Sequence, residues 1–175
     1  NHHAAQIDVR KSVADPRHDA RINVDGFLNV LENARKYGTR RVLFVSSGGV
    51  VYGEPEVRPT PESSPKLPMS PYGVTKLAAE YYLHYYYQVH GMDYVAVRYS
   101  NVYGPRQDPH GEAGVVAIFS TRLLRGEPLT VYGDGEQTRD YVFVGDVVAA
   151  NMLLTDHPLE GVHGLDRRAF NVATG

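Results

Sequence analysis

The chain has 175 residues, of which 42% are hydrophobic and 22% are charged, and its formal net charge is −2. This composition is typical of a globular protein with a substantial core, and so small a charge gives no general attraction to nucleic acid. Because the sequence has no cysteine, no membrane-length apolar run and no recognisable signal peptide, we expect a cytoplasmic protein without disulfides, a nucleic-acid partner or a membrane partner.

The first half of the chain alternates predicted helices with predicted buried strands. Apolar residues at helical spacing predict a helix over 19–38. The β-branched run RVLFVSS at 41–47 predicts a buried parallel strand, and a proline-rich loop leads from it to a helix over 71–90. The segment DYVAVRYS, 93–100, predicts another buried strand. This order indicates an α/β protein with a doubly wound parallel sheet.

Beyond Pro105 the predicted elements become short and irregular, which indicates a small lobe over the cleft of the sheet. The boundary is placed so that 1–107 belong to the α/β sheet domain and 108–175 belong mainly to the lobe, with some elements returning to the sheet. The predicted elements are a helix over 111–128, strands at 129–133 and 138–144, a helix over 145–156 and a strand at 169–174.

Two glycine clusters, SSGGVVYG at 46–53 and YGDGEQ at 132–137, are predicted to be turns. A phosphate-binding loop requires that the glycine turn open a helix, so that backbone N–H groups and the helix dipole face the anion. The first cluster is expected to lead into prolines, and the second opens no predicted helix. The eight histidines also lack the spacing of a ligand set, so no metal site is expected.

The segment SPYGVTKL, 70–77, places a tyrosine and a lysine in the first turns of a predicted helix. Its serine suits the N-cap and its proline suits the first helical position. Residues four apart share a helix face, so the Tyr72 phenol and the Lys76 ammonium are expected to converge. Catalytic groups of such sheets gather at the carboxyl ends of strands, where the sequence predicts Ser46, Ser47, Tyr99 and Asn101.

Six segments together resemble the extended short-chain dehydrogenase/reductase family, and within it the nucleotide-sugar epimerases. They are HHAAQIDVRKSV, NVDGFLNVLENARKYG, FVSSGGVVYGE, SPYGVTKLAAE, RYSNVYGPRQ and GDGEQTRDYVFVGDVV. The resemblance implies NAD as cofactor, a Rossmann-like NAD-binding domain whose later part is 1–107, and a nucleotide-sugar lobe in 108–175. The family's glycine-rich pyrophosphate loop has no counterpart here, so we expect the active protein to have upstream residues that supply it and at least two more parallel strands.

The resemblance also implies a role for individual residues. Tyr72 is identified as the acid/base, Lys76 as its support and Ser47 as the third catalytic group. A shorter form of the loop would place Gly48 at the third position, and Ser47 is preferred because glycine has no side chain to donate a hydrogen bond. The implied NAD contacts are Ala4, Ala5, Gln6, Asn23, Ser46, Tyr72, Lys76 and Tyr99. The implied nucleotide-sugar contacts are Ser47, Tyr72, Asn101, Val115, Val116, Thr130, Tyr132 and Arg139.

In the implied reaction, Tyr72 takes a proton from a sugar hydroxyl while the hydride passes to NAD. An effective base near neutral pH requires the phenol pKa to fall by about three units, or roughly 4 kcal/mol. A cation about 4 Å away at an effective dielectric of about 20 supplies that much, so we expect Lys76 to be sufficient.

The loop after the first strand favours one reaction within the family. Relatives that eliminate water or carbon dioxide carry an acidic residue there, whereas Gly48 to Val51 contain none. The expected function is C4 epimerisation of a UDP-sugar of the UDP-glucose/UDP-galactose type. The alternatives are a UDP-glucuronate epimerase, a decarboxylase, a reductase, or a non-catalytic fragment of the same fold.

Two patterns allow alternative interpretations. Arg139 suits a diphosphate because its planar fork bonds bidentately, but it could instead pair with Asp140. Tyr82, Tyr85 and Tyr86 lie near one helix face and are explained either by core packing or by a homodimer through the helices near 21–37 and 71–90, the interface that the resemblance implies.

Overall fold

The structure, a computed structural model, describes residues 1–109 and 114–175. Its α-helices are α1 (Val9–Ala14), α2 (Pro16–Ala20), α3 (Gly26–Lys36), α4 (Gly48–Val51), α5 (Pro71–His90), α6 (Val115–Leu124) and α7 (Val144–Asp156). A π-helical segment (Arg21–Asp25) joins α2 to α3, and a 3-10 turn (Asp166–Arg168) precedes the last strand. The strands are β1 (Arg41–Ser47), β2 (Asp93–Tyr99), β3 (Asn101–Tyr103), β4 (Tyr141–Phe143) and β5 (Ala169–Val172).

The main sheet is parallel, with the strand order β1–β2–β5, which confirms the predicted α/β class. Ser47 at the end of β1 pairs with Tyr99 at the end of β2, so the carboxyl ends of these strands coincide. On the other side of β1, the N–H of His2 donates to the carbonyl of Leu43 at 2.8 Å. A second, short sheet pairs β3 with β4 in parallel.

The core has two halves, one on each face of the main sheet, because both faces of the parallel strands are covered by helices. The half under α3 and α5 contains Phe27, Leu31, Val42, Phe44, Ala79, Leu83, Tyr86, Met92, Tyr94, Ala96 and Ala169. The half under α7 contains Leu43, Val95, Val97, Tyr99, Val142, Val147, Leu154 and Leu159. Within the described ranges, no helix has both the length and the apolar character needed to cross a membrane.

Helix α5 has the ends that its sequence predicts. The Ser70 hydroxyl accepts a hydrogen bond from the N–H of Gly73 at 3.1 Å, and Pro71 occupies the first helical position. Gly91 ends the helix in the left-handed conformation with φ of 67°. These local signals fix where the first turn of α5 begins, and therefore where Tyr72 lies.

Several predicted elements differ from the structure. The strand predicted at 129–133 is wrong: the segment is exposed coil, because it has no partner strand among the described residues. Only 141–143 of the strand predicted at 138–144 is formed. The helix predicted over 111–128 is observed from Val115 to Leu124, and residues 111–113 lie outside the described residues.

The glycine cluster after β1 also differs from its prediction. Gly48 to Val51 form one helical turn, α4, where the sequence predicted no helix. A Cβ on Gly48 would lie 3.3 Å from the carbonyl oxygen of Arg98, so the glycine lets the turn pack closely over the end of β2.

Candidate active site

The three predicted catalytic residues lie on elements that meet at the carboxyl end of β1. Ser47 is the last residue of β1, is half-buried, and is followed directly by α4, which packs against α5. Tyr72 and Lys76 are buried in the first turns of α5. The Lys76 Nζ lies 5.7 Å from the centroid of the Tyr72 ring and donates to the carbonyl of Val45 at 2.8 Å. The structure thus brings a phenol and an ammonium together beside the end of β1.

Burial controls the protonation of this pair. It raises the pKa of Tyr72 to about 12, and the negative charge of Asp19 acts in the same direction. Burial lowers the pKa of Lys76 to about 8, against the opposing effects of Asp19 and Glu80. Without a cofactor, burial therefore has the largest effect on the pKa of the Tyr72 phenol. That Lys76 brings this phenol near neutrality during the reaction stays a prediction.

Gly73 sets how closely α5 approaches α4. A Cβ at this position would lie 2.7 Å from the Val50 carbonyl oxygen and 2.9 Å from Cβ of Pro68. We expect Gly73→Ala to push the two helices apart and to destabilise the protein by about 1–3 kcal/mol, as overpacking does. Urea unfolding measures the effect.

The matched control is Gly26→Ala in α3, where the nearest atom is the Arg21 carbonyl oxygen at 3.6 Å. Because alanine suits a helix interior better than glycine, this variant should be neutral or more stable by about 0.5–1 kcal/mol. Equal losses in both variants would contradict the close-approach explanation.

Two hydrogen bonds from the Asn23 side chain hold the segment 4–6, which is predicted to contact a cofactor. The Asn23 Oδ1 accepts from the Gln6 N–H, and its Nδ2 donates to the Gln6 carbonyl, both at 2.9 Å. The small side chains of Ala4 and Ala5 are exposed and half-buried respectively. Asn23 therefore shapes this segment, and its amide is used within the protein.

Two other predicted cofactor residues have their polar atoms engaged elsewhere. The Ser46 hydroxyl is buried and donates to Glu80 Oε1 at 2.5 Å. The Tyr99 hydroxyl donates to Asn151 Oδ1 at 2.6 Å, and burial raises the pKa of this phenol. Because both hydroxyls are engaged, a cofactor contact at these positions would come from the Ser46 backbone or from the Tyr99 ring. Side chains alternate along a strand, so the Ser46 side chain also points away from that of Ser47.

The predicted nucleotide-sugar residues lie on separate segments. Asn101 is half-buried and opens β3, where its N–H donates to the Asp140 carbonyl at 3.0 Å. The alternative interpretation of Arg139, a pair with Asp140, is not the observed arrangement. Arg139 donates to the Thr138 carbonyl at 2.7 Å, and the Asp140 carboxylate accepts from the N–H groups of Thr174 and Gly175. The remaining members are Val115 and Val116 in the first turn of α6, and Thr130 and Tyr132 in exposed coil.

A buried ion pair behind the site was missed by the sequence analysis. Arg98 in β2 bonds Glu80 in α5 twice, Nη2 to Oε2 at 2.5 Å and Nε to Oε1 at 3.0 Å, and both side chains are fully buried. Arg98 also donates to the Tyr52 hydroxyl at 2.8 Å. The sequence did contain one indication of this pair: Arg98 lies within a strand that is predicted to be buried on both faces, and a buried charge requires a partner.

Comparison with known proteins relates this geometry to a family. The sequence matches the model of the NAD dependent epimerase/dehydratase family over residues 1–173. It is 51% identical over 174 residues to a UDP-glucose 4-epimerase of Mycolicibacterium smegmatis, covering 99% of this chain and 54% of that protein. The chain thus spans about half the length of the curated relatives that it matches.

Two solved structures are similar in both fold and sequence. The UDP-glucose 4-epimerase of Thermotoga maritima with UDP-glucose has a TM-score of 0.90 and 48% identity, over 99% of this chain and 54% of that one. The UDP-glucose 4-epimerase of Thermus thermophilus in complex with NAD has a TM-score of 0.86 and 48% identity, over 99% of this chain and 55% of that one.

Proposed function

The chain belongs to the NAD dependent epimerase/dehydratase family, and on this premise we propose that it carries the catalytic residues of an NAD-dependent nucleotide-sugar 4-epimerase. The observation that carries the proposal is the buried Tyr72–Lys76 pair beside Ser47 at the carboxyl end of β1. The similar proteins named UDP-glucose 4-epimerase favour a UDP-sugar of the UDP-glucose/UDP-galactose type. We further propose that the enzyme acts in galactose metabolism in the cytoplasm.

The donor set at the end of β1 fits the reactive end of NAD. An ammonium, a phenol and a half-buried hydroxyl lie on adjoining elements, and Lys76 and Tyr72 would hold the hydroxyl groups of the cofactor's ribose. Ala4 is exposed and Ala5 is half-buried, and their side chains are small. NAD, when bound, would supply the reversible hydride transfer at the sugar carbon that epimerisation requires.

In the proposed mechanism Tyr72 removes and returns the proton of the sugar hydroxyl, and Ser47 holds that hydroxyl. Because burial raises the pKa of Tyr72 to about 12, the phenol keeps its proton when Lys76 is the only cation beside it. A second positive charge at the site, such as an oxidised nicotinamide ring, would add to the effect of Lys76, because each cation lowers the pKa of a nearby phenol. We therefore expect Tyr72 to act as a base when such a second positive charge lies beside it.

The composition of α4 favours epimerisation over elimination. Loss of water or of carbon dioxide from a keto sugar requires a further acid/base group, and α4 consists of two glycines and two valines. A decarboxylase is therefore disfavoured. A UDP-glucuronate epimerase or a reductase with the same proton chemistry would use the same three residues, and remains the alternative that the substrate test addresses.

For the remaining parts of the protein we propose the roles that the family resemblance implies. The segment 108–175 would form most of the nucleotide-sugar lobe, with 1–107 as the later part of the NAD-binding domain. The proposed homodimer uses the outer faces of the helices near 21–37 and 71–90, where Ile22, Val30, Tyr82 and Tyr85 are exposed. Tyr86 is instead buried, and its hydroxyl donates to Glu32, so core packing explains that member of the tyrosine cluster.

Lys76→Met tests the role of the ammonium. Removing the cation destabilises the phenolate, so the pKa of Tyr72 rises and the acid limb of the activity profile should move to higher pH. Turnover measured across pH, at saturating cofactor, checks this direction. An acid limb that stays in place would remove Lys76 from the mechanism.

The proposed function as a whole is tested with a panel of UDP-, GDP- and dTDP-sugars, with the sugar product identified after hydrolysis. We expect interconversion of UDP-glucose and UDP-galactose without net consumption of NAD. Release of carbon dioxide, or formation of a 4-keto-6-deoxy sugar, would contradict it. Denaturing the purified protein and analysing the supernatant by mass spectrometry shows whether NAD is bound, which separates an enzyme from a non-catalytic fragment.

A further inference from the structure

A fully buried carboxylate, Asp19 at the end of α2, lies behind the Tyr72–Lys76 pair. Its Oδ1 accepts from Gln6 Nε2 at 2.8 Å and from Asn23 Nδ2 at 3.1 Å, and its Oδ2 accepts from the Thr75 hydroxyl at 2.7 Å. These three donors are neutral, so hydrogen bonds stabilise the carboxylate while its charge is not cancelled by a directly bonded cation. Burying a negative charge costs free energy of folding, so a buried carboxylate without a bonded cation is a candidate for a functional role.

The hydrogen bonds of Asp19 place it against the first turns of α5. Thr75 lies between Tyr72 and Lys76 in the sequence, and its Oγ1 is also 3.0 Å from the Tyr72 carbonyl oxygen. The N–H of Tyr72 donates in turn to the Ser12 hydroxyl at 3.2 Å, from the neighbouring helix α1. Helices α1 and α2 thereby fix the rotation of α5 about its axis, and with it the direction of the Tyr72 side chain.

Asp19 is also close enough to act by its charge on both members of the pair. It raises the pKa of Lys76 against the lowering effect of burial, and it adds to the rise that burial causes in the pKa of Tyr72. The other titratable groups that face Lys76 are Glu80, which is paired with Arg98, and the two histidines His2 and His3. Asp19 is thus the carboxylate that faces both side chains.

We infer that Asp19 is a positioning residue for the Tyr72–Lys76 pair, holding α5 through Thr75 and supplying the negative charge that keeps the Lys76 ammonium beside the phenol. This role rests on the proposed function, since it matters only if Tyr72 and Lys76 do the chemistry. The inference predicts the direction of a pKa change. Removing the charge of Asp19 should lower the pKa of Tyr72 and that of Lys76, so both limbs of the activity profile should move to lower pH. Lys76→Met moves the acid limb in the opposite direction.

The test is a titration that needs neither cofactor nor substrate. The protein is labelled at Cζ of tyrosine, and the Tyr72 resonance is identified by its loss in Tyr72→Phe. In Asp19→Asn, which keeps the shape of the side chain, the Tyr72 titration midpoint should move down by about one pH unit, the lower end of a nearby charge's effect. Thr75→Val is the matched control, because it removes a hydrogen bond to Asp19 and keeps the charge, and its midpoint should change far less.

An unchanged midpoint in Asp19→Asn, or an equal change in Thr75→Val, would overturn the inference. If Asp19→Asn does not fold, Gln6→Glu adds a carboxylate to the same cluster on a half-buried side chain and should move the midpoint to higher pH; no movement would again overturn it. A failed sugar assay leaves this titration unaffected, so failure of the proposed function is distinguishable from failure of the inference.

Discussion

Tyr72→Phe is expected to lower turnover at least about a hundredfold, the lower end of what is lost with a general acid/base. The change deletes one hydroxyl and keeps the buried ring that packs over Lys76, so the fold should be unaffected. Sugar binding should change little because the proposed diphosphate contacts, Asn101 and Arg139, remain. Steady-state turnover and sugar binding, measured separately by calorimetry, check the two parts.

The matched control is Tyr81→Phe, which removes a phenol from an exposed position on the same helix. Its turnover should equal that of the unmodified protein. If Tyr72→Phe kept half of the original turnover, Tyr72 would not be the acid/base, and the proposed mechanism would fail whatever the substrate proved to be.

Arg98→Met is expected to destabilise the protein by about 3–5 kcal/mol, because it leaves the Glu80 carboxylate buried without its cation. Both side chains of this pair are fully buried, and the same change leaves the Tyr52 hydroxyl without its donor. Urea unfolding monitored by circular dichroism measures the loss. The transition should keep its slope, since the same surface is exposed on unfolding.

Two further variants isolate the cause of that loss. Arg40→Met removes the cation of an exposed pair with Asp156 and should cost at most about 1 kcal/mol. Combining Arg98→Met with Glu80→Leu removes both buried charges and should recover much of the stability lost in Arg98→Met alone. A double variant less stable than Arg98→Met would show that hydrogen bonding to Ser46 and Tyr52, and not the unpaired charge, dominates.

The elements with strong local signals were predictable from sequence. The serine cap, the proline and the stopping glycine of α5 are properties of a few adjacent residues, and the observed helix has the predicted bounds. The apolar runs of β1 and β2 likewise indicate buried parallel strands whatever lies beside them. The α/β class follows from the alternation of these elements and is confirmed by the structure.

What the sequence did not provide depends on contacts between distant residues. The partner of Arg98 lies 18 positions away on a helix, and no local pattern assigns it. The segment 129–133 has a composition suited to a strand, but a strand also needs a neighbour to pair with. The pKa of Tyr72 was predicted from nearby positive charge, chiefly that of Lys76, whereas burial, which only the folded chain reveals, raises it.

The π-helical segment between α2 and α3 restricts how this region can change in evolution. Asp19, Asn23, Phe27 and Leu31 are all buried and succeed one another at intervals of four residues. In a regular α-helix three such steps would turn the line by about 120°, since each exceeds one turn of about 3.6 residues. The π-helical turn has more residues than an α-helical turn and therefore removes part of this rotation. As a result the polar residues Asp19 and Asn23 and the apolar residues Phe27 and Leu31 remain on one side of the helix. Arg21 and Asp25 are exposed, so substitutions at these positions keep the line of buried residues. Gain or loss of a single codon in the segment would instead rotate Asp19 relative to the core residues Phe27 and Leu31 by about 100°.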